Sequence, residues 1–165
     1  MPSRKSMRIP DYDYAQNGAY FVTICTFGRM PVLSHVLNDA VDSQIVLTEI
    51  GHEINKSIQY IDENYVNVNV TKYVIMPNHI HMIVLLESLY LCGDHPNIPL
   101  QTVIGQFKSF TTKRFNEISG AQHDKLWQRS FYDRIIRDEQ EYLDVWKYIG
   151  TNPVKWQLDE YHCNE

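Results

Sequence analysis

Cysteine is scarce in this chain: three in 165 residues, Cys25, Cys92 and Cys163, far apart and with no CxxC pair. That excludes a disulfide framework and a zinc knuckle, both of which need paired thiols. Long apolar runs are absent as well. The longest, around Ile83 to Leu86, is far short of the roughly 20 residues that span a bilayer. The N-terminal MPSRKSMRIPDYDY is basic but has no apolar h-region, so a cytoplasmic protein with no membrane association is expected. Positive charge is also in deficit, with 15 Lys and Arg against 20 Asp and Glu and a net charge of −5. A surface that grips nucleic acid on every side is thereby excluded. No repeat or low-complexity tract occurs. What remains, 44% hydrophobic and 12% aromatic residues, suits one folded domain over residues 1–165. Residues 1–11, with the stretch SRKSMR, read as a flexible basic arm or a frayed terminus, and residues 87–99 as a variable loop.

The β-branched and aromatic run AYFVTICTF, Ala19 to Phe27, follows the turn-prone Asn17-Gly18 and predicts a strand. From Thr48 the period changes: Ile50, Ile54, Ile58 and Ile61 share a helical face, giving an amphipathic helix capped by Thr48 and reaching about Asn64. TKYVIM and HIHMIVLL then read as two strands, apolar on both faces as central strands are, joined by a tight turn at Pro77-Asn78. Leu100, Val103, Ile104, Phe107, Phe110 and Ile118 trace a second long helix, SFYDRIIR a short strand, and DEQEYLDVWKYIGTN a last helix stopped by Pro153. The order β-α-β-β-α-β with a trailing helix predicts the α+β class: a ferredoxin-like split βαβ with a central antiparallel sheet and helices packed mainly on one face.

Two histidines, His79 and His81, stand one residue apart in the second strand of the expected hairpin. Residues two apart on a strand point to one face about 7 Å from each other, so two imidazoles lie side by side and can meet on one metal ion. The alternative is a pair of polar residues flanking a turn. His81 shares its face with Ile83 and Leu85, where a bare imidazole is costly unless hydrogen-bonded or ligated. A third ligand is available on the last helix, whose apolar arc is Tyr142, Val145, Trp146 and Ile149, with Tyr148 and Asn152 off its edge. Four residues apart, Tyr148 and Asn152 share a face, so a carboxamide oxygen and a phenol can sit together. The bland reading is a boundary tyrosine followed by a helix-ending Asn-Pro.

Charge is unevenly spread. From Gln101 to Arg137, Lys108, Lys113, Arg114, Lys125, Arg129, Arg134 and Arg137 face only Glu117, Asp124 and Asp133, a net +4 that leaves −9 for the rest. Within WQRSFYDR, Trp127, Phe131 and Tyr132 interleave with Arg129 and Arg134, the mixture that stacks bases and neutralises phosphates in single-strand binders. The competing reading is a buried edge strand with Trp127 in the core. Lys108, Lys113 and Arg114 form no clean stripe, and Arg114 falls near the apolar side.

YVIMPNHIHMIVLL, IGQFKSFTTKRFN, LWQRSFYDRIIRDEQEY and YIGTNPVKW, in that order, resemble the signatures of the single-tyrosine HUH transposases, on the side of the REP-associated tyrosine transposases and their insertion-sequence relatives. The resemblance runs from about Tyr12 to Trp156. It implies that His79-Ile80-His81 is the histidine-hydrophobic-histidine motif, Tyr148 the nucleophile and Asn152 the third metal ligand. Insertion-sequence members typically carry glutamine at that last position, so Asn152 favours the REP-associated branch. The implied activity is metal-dependent cleavage and rejoining of hairpin-bearing single-stranded DNA through a 5′-phosphotyrosine, with Mg²⁺ or Mn²⁺. Assembly is implied either within one chain or as a homodimer with the tyrosine helix exchanged. A site of neutral imidazoles is expected to lose activity as pH falls through the histidine range. The rival functional reading is a domesticated relative that binds hairpin DNA without cutting it. A histidine-triad hydrolase is disfavoured because Ile83 occupies the third position of that motif.

Overall fold

The computed structural model describes residues 17–38, 43–87 and 98–156. The basic arm, most of the variable loop, Cys92 and Cys163 lie outside them. Among the described residues the strands are β1 Gly18–Cys25, β2 Ser34–Asn38, β3 Ser43–Leu47, β4 Val68–Ile75, β5 His79–Leu86 and β6 Tyr132–Ile136. The helices are α1 Glu49–Asn64, α2 Leu100–Ser119 and α3 Glu139–Thr151. Four strands form one antiparallel sheet in the order β4-β5-β1-β6, which is the ferredoxin-like arrangement expected.

Register divides the chemistry between the two faces. Tyr20, Val22 and Ile24 of β1, with Ile80, Met82, Val84 and Leu86 of β5, belong to the main core together with Ile50, Ile54, Ile58 and Ile61 of α1 and Val103, Ile104 and Phe107 of α2. At roughly 1.5–3 kcal/mol for each fully buried large aliphatic or aromatic side chain, this face carries most of the stabilisation. The opposite face carries Phe21, Thr23 and Cys25, which pair with Ile83, His81 and His79. Here α3 docks through Val145 and Ile149 against Ile83 and Ile136. The two long helices share one face and the tyrosine helix takes the other.

Several expectations are corrected. The hairpin β2-β3 was not anticipated; its strands are short, and Leu37 and Val46 are left exposed. β1 stops at Cys25 because the chain turns through Phe27–Arg29, where Gly28 and Arg29 take φ of 62° and 57°. β4 is an edge strand, not a central one, and its apolar pattern reflects α1 on one side and α3 on the other. On α3 the buried line is Val145, Ile149 and Asn152, so Asn152 lies in the seam, not off its edge. Trp146, placed in the apolar arc, is exposed, with the Lys72 ammonium 4.9 Å from its ring centroid.

The start of α1 is fixed by Thr48, whose hydroxyl accepts from Gly51 N at 3.1 Å and donates to Leu33 O at 2.9 Å. That approach requires glycine at 51, since a Cβ there would stand 2.1 Å from Leu33 O.

Candidate active site

β5 begins directly after Pro77-Asn78, and the pleat turns His79 and His81 to the α3 face. Both are buried, with ring centroids 4.5 Å apart. Each ring is held at Nδ1. Asn78 Oδ1 lies 2.9 Å from His79 Nδ1, and Thr23 Oγ1 lies 2.8 Å from His81 Nδ1. The other ring nitrogens are thereby directed away from these partners.

α3 brings Tyr148 to the pair from the far side of the seam: its hydroxyl is 3.3 Å from His81 Nε2, while the residue remains 38% exposed. The phenol therefore touches the buried imidazole and solvent together. Phe21 packs against both, stacked on His81 at 5.3 Å and edge-on to Tyr148 at 5.9 Å. One turn beyond Tyr148, Asn152 is buried, and one turn further the Trp156 ring stands 5.9 Å from His79. Asn152 is thus bracketed in sequence by two residues that touch the two histidines.

Burial, reinforced by the Arg29 charge, pushes the His79 imidazole down to about 3. A ring held neutral in this way is a lone-pair donor across the ordinary pH range. His79 Nε2 and Asn152 Oδ1 are buried and take no hydrogen bond among the described residues, although both residues make other contacts. No group of three or more His, Cys, Asp and Glu able to hold a metal occurs among the described residues. Two imidazoles and one amide oxygen nonetheless make a donor set of mixed softness that fits a first-row divalent ion, with Mn²⁺ suiting it better than Mg²⁺.

The residues expected to bind DNA separate into two groups. Lys108 is turned into the fold, donating to the carbonyls of Gln128 at 2.7 Å and Arg129 at 3.2 Å, and burial lowers its pKa. Arg114 is paired with Glu53 at 2.9 Å and with Glu117. Trp127 is a core residue whose Nε1 donates to Thr111 Oγ1 at 2.8 Å, so its faces are not open to a base. In all three the group that would meet DNA already has a protein partner, and Trp127 is buried as well. Lys113 and Arg129 are exposed, with Lys113 lining a depression beside His123 and Lys125.

Arg134 is placed differently. β6 sets it opposite Phe21, with Tyr132 opposite Thr23. Arg134 is loosely paired with Glu141 at 3.4 Å and its side chain is 61% exposed. A groove of 560 Å³ runs between β6 and α3, lined by Phe21, Thr23, Tyr132, Arg134, Asp144 and Tyr148. A more apolar cleft of 520 Å³ between α1 and α2 contains neither histidine nor Tyr148. Sequence reasoning passed over Phe21, Thr23 and Asn78 as site residues. The available signal was a threonine inside an apolar strand two residues from a phenylalanine of the same face.

Comparison with known proteins bears on the family and the fold. A family model described as IS200-like transposase matches residues 34–152. An uncharacterised protein of Haemophilus influenzae is 30% identical over 177 aligned positions, covering 98% of this chain and 94% of that protein. A second protein of the same organism, provisionally named a REP-associated tyrosine transposase, is 29% identical over 147 positions, covering 87% of this chain and 74% of its own length. Among solved structures, a REP-associated tyrosine transposase bound to a REP hairpin shares the fold with a TM-score of 0.55 at 19% identity, over 87% of this chain and 70% of that one. No described helix is long and apolar enough to cross a membrane.

Proposed function

The chain belongs to the IS200-like transposase family, and from that premise we propose that it cuts and rejoins hairpin-bearing single-stranded DNA with Tyr148 as the nucleophile. The observation that carries this reading is the Tyr148 hydroxyl, 3.3 Å from His81 Nε2 beside a second buried imidazole and open to a groove. Ten other tyrosines occur in the chain; Tyr142, the other tyrosine of α3, spends its hydroxyl on Thr71 Oγ1 at 2.9 Å.

A phenol has a pKa of about 10 and is a poor nucleophile until its proton is drawn off. Tyr148 would attack the scissile phosphorus in line. The bond from phosphorus to the 3′ oxygen breaks, the new ester joins the 5′ phosphate to Tyr148, and the departing 3′ oxygen takes up a proton. The ester keeps the phosphodiester energy, so a 3′-hydroxyl of another strand reverses the step without a nucleotide cofactor. His79, His81 and Asn152 would hold a divalent ion, Mg²⁺ or Mn²⁺, which when bound polarises a non-bridging phosphate oxygen. Phe21 keeps the phenol beside the pair, Arg134 meets a phosphate, and Tyr132 offers a face to an unstacked base. A hairpin is the natural partner because the solved transposase of this fold is bound to one.

The test is a denaturing gel of protein incubated with labelled hairpin-bearing single strands and Mn²⁺. Wild type should give a covalent adduct mapping to Tyr148, and Tyr148→Phe should give none while still binding DNA. An adduct with Tyr148→Phe, or cleavage with no covalent species at all, refutes the tyrosine mechanism.

A further inference from the structure

Both imidazoles of the pair are gripped at Nδ1, each by a different kind of partner. We propose that Thr23 and Asn78 are positioning residues that hold His81 and His79 in the Nδ1–H tautomer, so that both Nε2 lone pairs are presented to a divalent ion. This rests on the reading of the pair as a metal site.

For His79 the chemistry of the partner decides the tautomer. The Asn78 amide oxygen, 2.9 Å from Nδ1, can only accept, so Nδ1 carries the proton and Nε2 the lone pair. Asn78 is itself buried and pinned, its backbone carbonyl accepting from Thr26 N at 2.9 Å and from Thr26 Oγ1 at 3.0 Å. For His81 both partners are hydroxyls, Thr23 at Nδ1 and Tyr148 at Nε2. A phenol is far more acidic than an aliphatic alcohol, hence the better donor and the poorer acceptor. The favoured arrangement has Tyr148 donating to Nε2 and Nδ1–H donating to Thr23. Thr23 is buried and is the register partner of His81, so its hydroxyl is delivered by strand pairing alone. Partners of this kind behind ligating histidines set ring orientation and ligand basicity, and their loss typically lowers metal affinity by about 10–100-fold.

The tautomers can be read without DNA and without an ion. In chelator-treated protein at about pH 8, above the ordinary imidazole range, long-range ¹H–¹⁵N spectra of wild type should show both rings protonated on Nδ1. Thr23→Val removes the hydroxyl at nearly constant shape. It should shift His81 towards the Nε2–H form and weaken Mn²⁺ binding by about 10–100-fold, leaving the His79 signals in place. Thr23→Ser should restore both. A wild-type His81 protonated on Nε2 overturns the proposal, as does a Thr23→Val protein unchanged in tautomer and in Mn²⁺ affinity. Should Thr23→Val fail to fold, the wild-type spectrum still decides. The Tyr148 adduct is read separately, so failure of the tautomer assignment leaves the cleavage reading standing, and a missing adduct leaves the tautomers measurable.

Discussion

His79 should make the fold sensitive to acid. Its imidazole is held down to about 3 from an ordinary 6.5, whereas in the unfolded chain it titrates normally. Above 6.5 both states are neutral and stability does not depend on this group. Between 6.5 and about 3 the unfolded state binds the proton and the folded state does not, so stability falls as pH falls. The limiting slope for one such group is about 1.4 kcal/mol per pH unit. Over the full window of roughly 3.5 units this amounts to ~5 kcal/mol as an upper bound. Domains have only about 5–15 kcal/mol in total, so this group alone can bring the protein near acid unfolding. The assay is urea denaturation of chelator-treated protein across the pH range, wild type against His79→Gln. The glutamine variant should start less stable at neutral pH, yet lose stability less steeply on acidification. Carboxylates contribute equally to both proteins and cancel in the difference. Parallel slopes below pH 6.5 would refute the reasoning. With its imidazole held below the ordinary histidine range, His79 is not the group expected to cause an activity loss near neutrality.

Arg134→Ala should weaken binding of hairpin-bearing single strands and reduce the dependence of log affinity on log salt by about one phosphate contact; an unchanged salt slope would remove Arg134 from the interface. Alanine at His79, His81 or Asn152 should each lower Mn²⁺ affinity in calorimetry and suppress cleavage, and wild-type cleavage in excess chelator would count against any metal. Gly51→Ala should lower the melting temperature, since its Cβ would meet Leu33 O at 2.1 Å and overpacking of this kind costs about 1–3 kcal/mol. An unchanged melting temperature would mean that the hairpin β2-β3 can shift away from α1 freely.

Much of this architecture is legible in the chain because local pattern and burial agree. The isoleucines of α1, spaced by the helical repeat, and the Pro77-Asn78 turn leave little choice, and the alternation in β5 places His79 and His81 on one face. β2 and β3 escaped because in strands of five residues the exposed Leu37 and Val46 put apolar residues on the solvent face as well, so the sequence shows almost no contrast between faces. Trp127 illustrates a different limit: an indole between charges reads equally as a stacking platform or as core, and only the Thr111 hydroxyl waiting for its N–H decides. The partners of Lys108 and of Arg114 were hidden for the same reason, since Gln128 and Glu53 come from distant segments. Thr23 was marked only by being a threonine inside an apolar strand, and the roles of Thr23 and Asn78 lie in register and in a turn, neither of which periodicity specifies.

The corner between β6 and α3 bears on reaction order. Only Arg137 and Asp138 separate the two elements, and both are tied to the first turn of the helix. Glu141 N donates to Asp138 Oδ1 at 2.8 Å, and Arg137 N donates to Glu141 Oε2 at 2.9 Å. Tyr148 thereby reaches the His81 of its own chain. To serve a neighbouring molecule α3 would have to break this corner and withdraw Val145 and Ile149 from Ile83 and Ile136, which on the proposed chemistry favours a site completed within one chain. On the proposed chemistry, the first strand cleavage is unimolecular in protein: its rate per molecule stays constant on dilution, and a mixture of Tyr148→Phe and His81→Ala proteins does not regain it.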